Sequence, residues 1–302
     1  MPRLIQTSVL FVLTFLVSIV SPLAEPSPES VITLRPQSSE DSRYDYAQSL
    51  LEKVLQKAGS TAPVAQARIH FSRDRLLQEL IKGDNIHVIA EAPKPGWEDK
   101  LLPIHIPLRK GIQGYRLFLI NKQDQEALAT VDTLEELQTY PTGSGAQWST
   151  RHVMERAGFQ VVTSADYDDL FKMLKLRRFI TFGRGVNEAF KELESFAHQN
   201  EHLAVEESLC VFVLLPTYFF VSPTRPELAR QIETGLKRMI ADGSFDQHFR
   251  LFHQADIARA NLANRKIFVI SNPNLSRHTP FNNPSYWLNP DLAATAGKGI
   301  GS

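Results

Sequence analysis

The sequence predicts an α/β fold made of two lobes. Short β-type runs alternate with amphipathic helical runs over the first 90 residues, and the same alternation returns between residues 139 and 196. Strands that alternate with helices favour a mainly parallel sheet with helices packed on its faces. Two extended apolar stretches, 102–120 and 209–222, separate these regions. We therefore interpret them as two strands that cross between the lobes.

The order of these segments divides the chain into successive predicted parts. Residues 1–24 are a signal peptide, 25–112 begin the first lobe, and 113–215 form the second lobe. Residues 216–290 return to the first lobe with a C-terminal helix, and the small polar residues 291–302 are a flexible tail.

The N-terminal prediction rests on charge and length. Arg3 is the only charged residue before Glu25, and residues 9–20 are almost wholly apolar. Twelve apolar residues are fewer than the roughly 20 that a membrane-spanning helix needs. A basic start, a short apolar core and a small-residue exit ending at Ala24 are typical of a secretory signal peptide. The alternative is an uncleaved N-terminal anchor.

Composition excludes some partners. The 33 basic residues balance 33 acidic residues among 302, which gives no electrostatic reason to expect nucleic acid. The single cysteine, Cys210, lies in an apolar run, so we interpret it as a small core residue. With no cysteine near Ala24, a lipid anchor is not expected, and no internal disulfide can form.

The first candidate site lies where the second lobe begins. Gly143, Ser144 and Gly145 follow a short strand, and a helix is predicted to begin near them. A glycine turn at a helix start leaves backbone N–H groups at the positive end of the helix dipole, which can hold an anion. We expect the Ser144 hydroxyl, the Gly145 backbone, and Gln147 or Trp148 to contact a ligand. The alternative is an ordinary strand-to-helix turn.

Four further residues are ligand-binding candidates: Arg184, Arg109, Trp97 and Tyr44. Arg184 ends a predicted strand, where ligands of open α/β sheets bind, and its guanidinium can hold a carboxylate or phosphate through two hydrogen bonds. Its alternative role is a surface pair with Glu188. Arg109 lies at the first crossing and is otherwise a solvated charge. Trp97 and Tyr44 are aromatic residues near loops, and each is otherwise a packing residue.

Enzyme signatures are few. The sequence lacks the G-x-S-x-G, H-E-x-x-H and Walker-loop patterns. Glu91 and Glu188 are two carboxylates near the predicted cleft that could act as general acid and base. We expect no catalytic residue, no cofactor and no metal ion.

The order of segments resembles a known family. Residues 218–222 (YFFVS), the helical run from Leu228 to Ile240 and the Asp242-Gly243 turn are similar to the hinge strand, long helix and D-G turn of bacterial extracellular solute-binding protein family 3. The turn at Ser144 is similar to that family's G-S turn. The resemblance covers about residues 31–252 and implies a type II periplasmic binding fold.

The ligand code of the family is absent. Members that bind α-amino acids carry a T-x-E-R segment after the third strand, whereas residues 94–100 read KPGWEDK and lack arginine. The family's F-S-x-P-Y appears as IHIPL at 104–108, and its D-A strand appears as FITFGRG at 179–185. The resemblance therefore implies the scaffold but not an amino acid as ligand.

The function that the resemblance implies is capture of a small polar solute. We expect an exported, periplasmic and monomeric binding protein that holds an anionic or zwitterionic ligand between its lobes. Its partner would be the membrane component of an ABC-type importer or a sensor. Two alternatives remain: an enzyme on the same scaffold, such as a small-acid dehydratase, and a partner-binding protein whose cleft has lost its ligand.

Overall fold

The computed structural model describes residues 29–36, 44–71, 73–196 and 201–297. Its secondary structure is a mixed set of strands and helices. The strands are β1 (Val31–Thr33), β2 (Val64–Gln66), β3 (Val88–Glu91), β4 (Leu102–Ile104), β5 (Tyr115–Asn121), β6 (Thr142–Gly145), β7 (Val161–Ser164), β8 (Thr181–Gly185), β9 (Leu203–Val205), β10 (Leu209–Val213), β11 (Tyr218–Val221) and β12 (Lys266–Ile270).

The helices are mostly amphipathic and pack against these strands. They are α1 (Asp45–Ala58), α2 (Arg73–Lys82), α3 (Gln125–Ala129), α4 (Leu134–Gln138), α5 (Ser149–Arg156), α6 (Tyr167–Lys175), α7 (Val186–Phe196), α8 (Pro226–Ala241), α9 (Ser244–Ala260) and α10 (Pro290–Gly297). Within the described ranges, none of these helices is both long enough and apolar enough to cross a bilayer.

The first lobe is built on two small sheets. β1 pairs with β2 in parallel, and β11 lies between β3 and β4, antiparallel to both. Successive residues of β11 point to opposite faces. Phe219 packs with α1 and α8, whereas Phe220 packs with α2 and with the loop that carries Trp97. Both faces of this sheet are thus covered by apolar side chains.

The second lobe is built on one larger sheet, in which β12, β10, β5, β8, β6 and β7 follow one another and β9 also pairs with β5. Alternate residues of β5 serve two cores. Leu117 and Leu119 pack with α6 and α7 on one face, while Phe118 and Ile120 pack with α4 and α5 on the other. Cys210 lies in β10 and is fully buried, and burial raises the pKa of its thiol to about 12.

The two crossings lie where the sequence predicts them. The first runs from β4 to β5 and the second from β10 to β11, so each connects the small sheet to the large one. They approach closely at Gly114, where an added Cβ would lie 2.0 Å from the Val213 carbonyl oxygen. Only glycine fits there. The predicted combination of an α/β fold and two crossing strands is confirmed.

Three local predictions differ from the structure. Gly143-Ser144-Gly145 is not a turn but the body of β6, because it pairs with β7 and β8. The sequence predicts that residues 216–290, which include β12, return to the first lobe, but β12 joins the sheet of the second lobe beside β10. The tail predicted at 291–302 includes α10, whose Ala293 and Ala296 are buried in the second-lobe core. The signal peptide prediction, 1–24, lies outside the described residues.

Candidate functional site

The candidate site is a cavity between the lobes, beside both crossings. It has a volume of about 120 Å³. The first lobe and the crossings contribute the start of α1, the end of β3 and the loop after β4, and the second lobe contributes the starts of α5 and α7. Its lining residues are Tyr44, Ala47, Ala90, Glu91, Ala92, Arg109, Gln113, Arg116, Trp148, Ser149, Thr150, Arg184, Asn187, Glu188, Leu215 and Thr217.

The second-lobe wall is organised by Arg184, which is 3% exposed. Arg184 lies on β8, and Glu188 and Glu192 follow it on the first two turns of α7. Its Nε and Nη2 atoms each donate to a carboxylate oxygen of Glu192 at 2.5 Å, and Nη2 lies 3.3 Å from Glu188. The ring of Trp148 lies 4.4 Å from the guanidinium carbon. The ion pairs with the two glutamates and the contact with the Trp148 ring fix the guanidinium in one orientation.

Charge balance within this wall keeps Arg184 ionised. Burial opposes its charge, but Glu188 and Glu192 outweigh burial and raise the pKa of Arg184 above its usual value. The neighbouring Arg116 is also buried, and its pKa falls to about 10 because burial outweighs the attraction of Glu188. Arg116 donates to the carbonyl oxygens of Gln113 and Gly183. Two buried cations are thus held against two carboxylates.

Glu188 connects these groups at the start of α7. It accepts a hydrogen bond from the Gly185 backbone N–H at 3.0 Å and lies 3.7 Å from Arg116. The backbone there is crowded, since a Cβ added to Gly185 would lie 2.9 Å from Asn187 Oδ1 and 3.2 Å from the Gln113 Cα atom. The position therefore favours glycine, and Glu188 and Asn187 occupy the space beside it.

The first-lobe wall is organised by Arg109. This guanidinium is 6% exposed, lies 4.6 Å from the ring of Tyr46, and approaches His253 of α9 with 3.1 Å between Nη1 and Nε2. Burial lowers the pKa of His253 to about 2, and the charge of Arg109 adds to that effect. His253 is therefore neutral at pH 7 and accepts a hydrogen bond from Arg109. Burial also lowers the pKa of Arg109 itself.

Glu91 gives the first-lobe wall its carboxylate. One of its oxygens accepts from the Ala92 backbone N–H at 3.1 Å, and the other lies 3.4 Å from Lys94 Nζ. Near it, the Thr217 hydroxyl of the second crossing donates to the Gln113 side chain. The lining as a whole presents three guanidinium groups, two carboxylates and several neutral hydrogen-bonding groups.

Four of the predicted ligand-binding residues meet in this cavity: Tyr44, Arg109, Trp148 and Arg184. The predicted alternative for Arg184, a pair with Glu188, is also present, but it is buried in the cleft rather than on the surface.

The other four predicted residues lie outside the lining. Ser144 is buried in β6 and its hydroxyl donates to the Gly145 carbonyl at 3.4 Å. Gly145 lies under the ring of Trp148, and Gln147 is exposed. Trp97 is 5% exposed and packs edge-on against Phe220, so it is a loop anchor. These placements follow because β6 extends through Gly145 and α5 begins only at Ser149.

Several lining residues were not anticipated from the sequence, among them Gln113, Arg116, Asn187 and Thr217. Arg116 was the most detectable, because it is a charged residue inside the otherwise apolar run YRLFLI of β5. Such a residue is buried only when it is paired. Glu192 carried no comparable signal, since a glutamate within an amphipathic helix is usually exposed.

A second cavity lies apart from the crossings. Its volume is about 560 Å³, and it separates the 94–105 loop of the first lobe from residues 273–278. His105 and His278 face each other across it, with ring centroids 5.5 Å apart. Among the residues that the structure describes, no three His, Cys, Asp or Glu side chains are placed to hold one metal ion.

Comparison with solved structures identifies the architecture. An ancestral arginine-binding protein bound to arginine superposes with a TM-score of 0.54 at 18% identity, covering 75% of this chain and 98% of that protein. A Salmonella typhimurium periplasmic binding protein with high arginine specificity gives 0.54 at 13% identity, covering 74% and 99%. This chain has the fold of the two-lobed periplasmic binding proteins.

Other comparisons set the limits of that likeness. An ancestral amino-acid-binding protein, a precursor of cyclohexadienyl dehydratase, superposes with a TM-score of 0.52 at 14% identity, covering 75% of this chain and 95% of that protein. No protein-family model and no curated protein sequence matches the chain. At identities this low the likeness extends to the fold, and about a quarter of this chain lies outside each superposition.

Proposed function

We propose that the chain is an exported solute-binding protein that holds a small polar ligand between its two lobes. The ligand is anionic or zwitterionic, and the protein presents it, as a monomer in the periplasm, to an ABC-type importer or a sensor. The observation that carries this proposal is the cavity beside the crossings, where both lobes contribute buried charged side chains. Ligand sites of two-lobed binders lie in that position.

The charges of the lining favour an anionic group on the ligand. Among the lining residues, Arg109, Arg116 and Arg184 outnumber Glu91 and Glu188, and Glu192, which pairs with Arg184, is not part of this lining. A guanidinium fixed by packing binds a carboxylate or phosphate without first losing side-chain entropy. The same excess of positive charge disfavours a cationic ligand such as free arginine, which two of the structurally similar proteins bind. We therefore propose that this cleft differs from theirs in ligand charge.

An enzyme on this scaffold is the second candidate, because one structurally similar protein is a precursor of a dehydratase and the cleft contains Glu91 and Glu188. Glu188 is a poor general acid or base in this arrangement. It is engaged by Arg184 and by the Gly185 N–H, so a proton transfer would disrupt both contacts. A partner-binding protein with an inactive cleft is the third candidate.

A thermal-shift screen separates the three. The protein, exported and purified from the full-length gene, is tested against dicarboxylates, amino acids, sugars and short peptides, with each compound also monitored for turnover. A ligand at 100 times its Kd adds about 2.7 kcal/mol to the free energy of unfolding. Saturable stabilisation by an anionic or zwitterionic compound without turnover supports the binder.

The other outcomes are equally specific. Turnover that is lost in Glu188→Gln would establish the enzyme. Stabilisation by arginine but by no anionic compound would contradict the proposed ligand charge. If no compound of any class stabilises the protein, the solute-binding proposal fails and the third candidate stands.

A further inference from the structure

The segment that follows α9 folds back over both lobes. We define residues 261–297 as the C-terminal strap. It begins by joining the second lobe: β12 pairs in parallel with β10 along five residues, from Leu209 with Lys266 to Val213 with Ile270. Just before β12, Arg265 donates to the carbonyl oxygens of Glu206 and Leu209. At its other end, α10 packs into the second-lobe core through Ala293 and Ala296. Both ends of the strap are thus fixed to one lobe.

The middle of the strap covers the first crossing. The Leu288 backbone N–H donates to the Lys110 carbonyl at 2.9 Å, and Lys110 Nζ donates to the Ser285 carbonyl at 2.8 Å. The ring of Trp287 lies over Gly111, where an added Cβ would be 2.8 Å from it. Trp287 is 4% exposed, and its indole N–H donates to the Pro280 carbonyl. These contacts hold the backbone of the crossing at Lys110 and Gly111.

The strap also contacts the second crossing and the first lobe. Asn272 donates from its side chain to the Leu214 carbonyl at 2.9 Å, in the link between β10 and β11. Tyr286 packs against the apolar cores of both lobes. His278 lies beside His105, which follows β4 in the first lobe. One segment therefore touches each lobe and each of the two crossings.

Helix α9 makes the same connection independently. It follows α8 of the first lobe, yet two ion pairs fix it to α7 of the second. These are Lys191 with Asp256 at 3.3 Å and Arg259 with Glu194 at 2.5 Å. The Arg259–Glu194 pair is exposed, and exposed ion pairs stabilise weakly on their own. Helix α9 and the strap form a third covalent connection between the lobes, beyond the two crossing strands, and the two ion pairs hold α9 against α7.

These contacts restrict motion at the two crossings, which are the hinge between the lobes. Two-lobed binders open and close by large backbone dihedral changes at a few hinge residues. Here the backbone carbonyls of the crossings at Lys110 and Leu214 accept hydrogen bonds from the strap, and Trp287 covers Gly111, so bending the crossings would break those contacts. We propose that the C-terminal strap locks the hinge, so that the two lobes keep one separation and the cleft is preformed in the unliganded protein. This proposal does not depend on which ligand the cleft binds.

Distance measurements between the lobes test the lock. Spin labels are attached at Gln56→Cys in α1 and Arg156→Cys in α5, two exposed positions on helices that border the cleft. Cys210 is buried with a raised pKa, so the labels react only at the introduced cysteines. The full-length protein without added ligand is measured by double electron–electron resonance, alone and with Trp287→Ala, Tyr286→Ala or Tyr140→Ala.

A locked hinge predicts one narrow distribution of distances between the two spin labels in the labelled protein without a further substitution, which we call the parent protein. In Trp287→Ala and Tyr286→Ala the distribution becomes about twofold wider or gains a second distance, because the hinge is released. Tyr140→Ala removes a partly buried tyrosine from a second-lobe cluster that includes neither Tyr286 nor Trp287, and its distribution stays narrow. A broad distribution in the parent, or an unchanged one in a Tyr286→Ala protein that remains folded by circular dichroism, overturns the proposal. Equal broadening in Tyr140→Ala overturns it too, since loss of core packing alone would then explain the effect.

Discussion

The two walls of the cleft hold their arginines in different ways. In the second-lobe wall, Arg184 is fixed by two hydrogen bonds to Glu192 and by a nearby Glu188. In the first-lobe wall, Arg109 is positioned against the ring of Tyr46 and by a neutral imidazole, His253. One wall is therefore built from buried ion pairs, and the other uses an uncharged acceptor whose protonation would break the contact.

Because of this difference, the two walls contribute differently to the free energy of unfolding and to its dependence on pH. Removing one partner from a buried ion pair leaves an uncompensated charge, which is costly at any pH at which the carboxylates are ionised. Protonation of a neutral histidine changes the free energy of unfolding only in the pH range over which that histidine titrates. We therefore expect the second-lobe wall to dominate the free energy of unfolding, and the first-lobe wall to contribute part of its dependence on acid.

The largest expected effect comes from the second-lobe wall. Arg184→Met leaves Glu188 and Glu192 buried together and should lower the free energy of unfolding by about 3–5 kcal/mol. Arg151→Met is the matched control, because Arg151 pairs with Glu155 on the surface and such pairs contribute about 1 kcal/mol or less. Urea unfolding measures both. Equal losses of unfolding free energy in the two variants would show that the buried ion pairs of Arg184 contribute no more than the surface pair of Arg151.

A glycine comparison tests how closely Trp148 is packed in the same wall. An added Cβ at Gly145 would lie 2.4 Å from the Trp148 ring, whereas at Gly183 the nearest atom is 3.7 Å away. Gly145→Ala should thus cost about 1–3 kcal/mol by displacing the indole from Arg184. Gly183→Ala, also in a strand, has room for its methyl group and should cost clearly less. Tryptophan fluorescence reports the displaced ring, and an unchanged spectrum in Gly145→Ala contradicts the packing.

The smallest effect concerns the first-lobe wall. The pKa of His253 is about 2 in the folded protein and near 6.5 when unfolded, so the unfolded state binds one more proton between these values. Stability therefore falls as pH drops below 6.5, and His253 alone should remove about 1 kcal/mol between pH 6.5 and 5.5. Arg109, Lys191 and His248 face it and favour the neutral form.

Denaturant unfolding at pH 6.5 and at pH 5.5 tests whether the free energy of unfolding falls as the pH drops. His253→Gln keeps an amide oxygen that can accept from Arg109 but cannot titrate, so its stability should fall less over the same interval. His248 and His87 also have lowered pKa values and continue to contribute in both proteins. A pH dependence that His253→Gln leaves unchanged would mean that His253 is accessible to protons in the fold.

The sequence predicted the lobes better than the cleft. Alternating strands and helices, and two extended stretches rich in apolar residues, are local patterns, so the positions of the crossings could be predicted. The membership of β12 in the second-lobe sheet is a long-range pairing with β10 that no local pattern encodes. The end of the chain looked like a tail because α10 is small and weakly amphipathic, yet small residues are what its packing against Phe281 requires.

The residues that line the cavity were predicted only in part, for a related reason. Arg184 and Arg109 were identified because they lie at a strand end and at a crossing. The partners that define their roles, Glu192 and His253, are distant in sequence or look like surface helix residues. The Gly-Ser-Gly motif was misplaced because it satisfies the composition of a turn and also the close packing of a strand under Phe179 and Trp148.

We propose that a ligand binds in the cavity beside the crossings rather than elsewhere. Isothermal titration of the most stabilising compound from the screen tests it in two matched variants. Thr150→Phe fills the interlobe cavity, and Ser276→Phe fills the second cavity. We expect Thr150→Phe to abolish binding and Ser276→Phe to leave the affinity unchanged. Loss of binding in Ser276→Phe with full affinity in Thr150→Phe would contradict it.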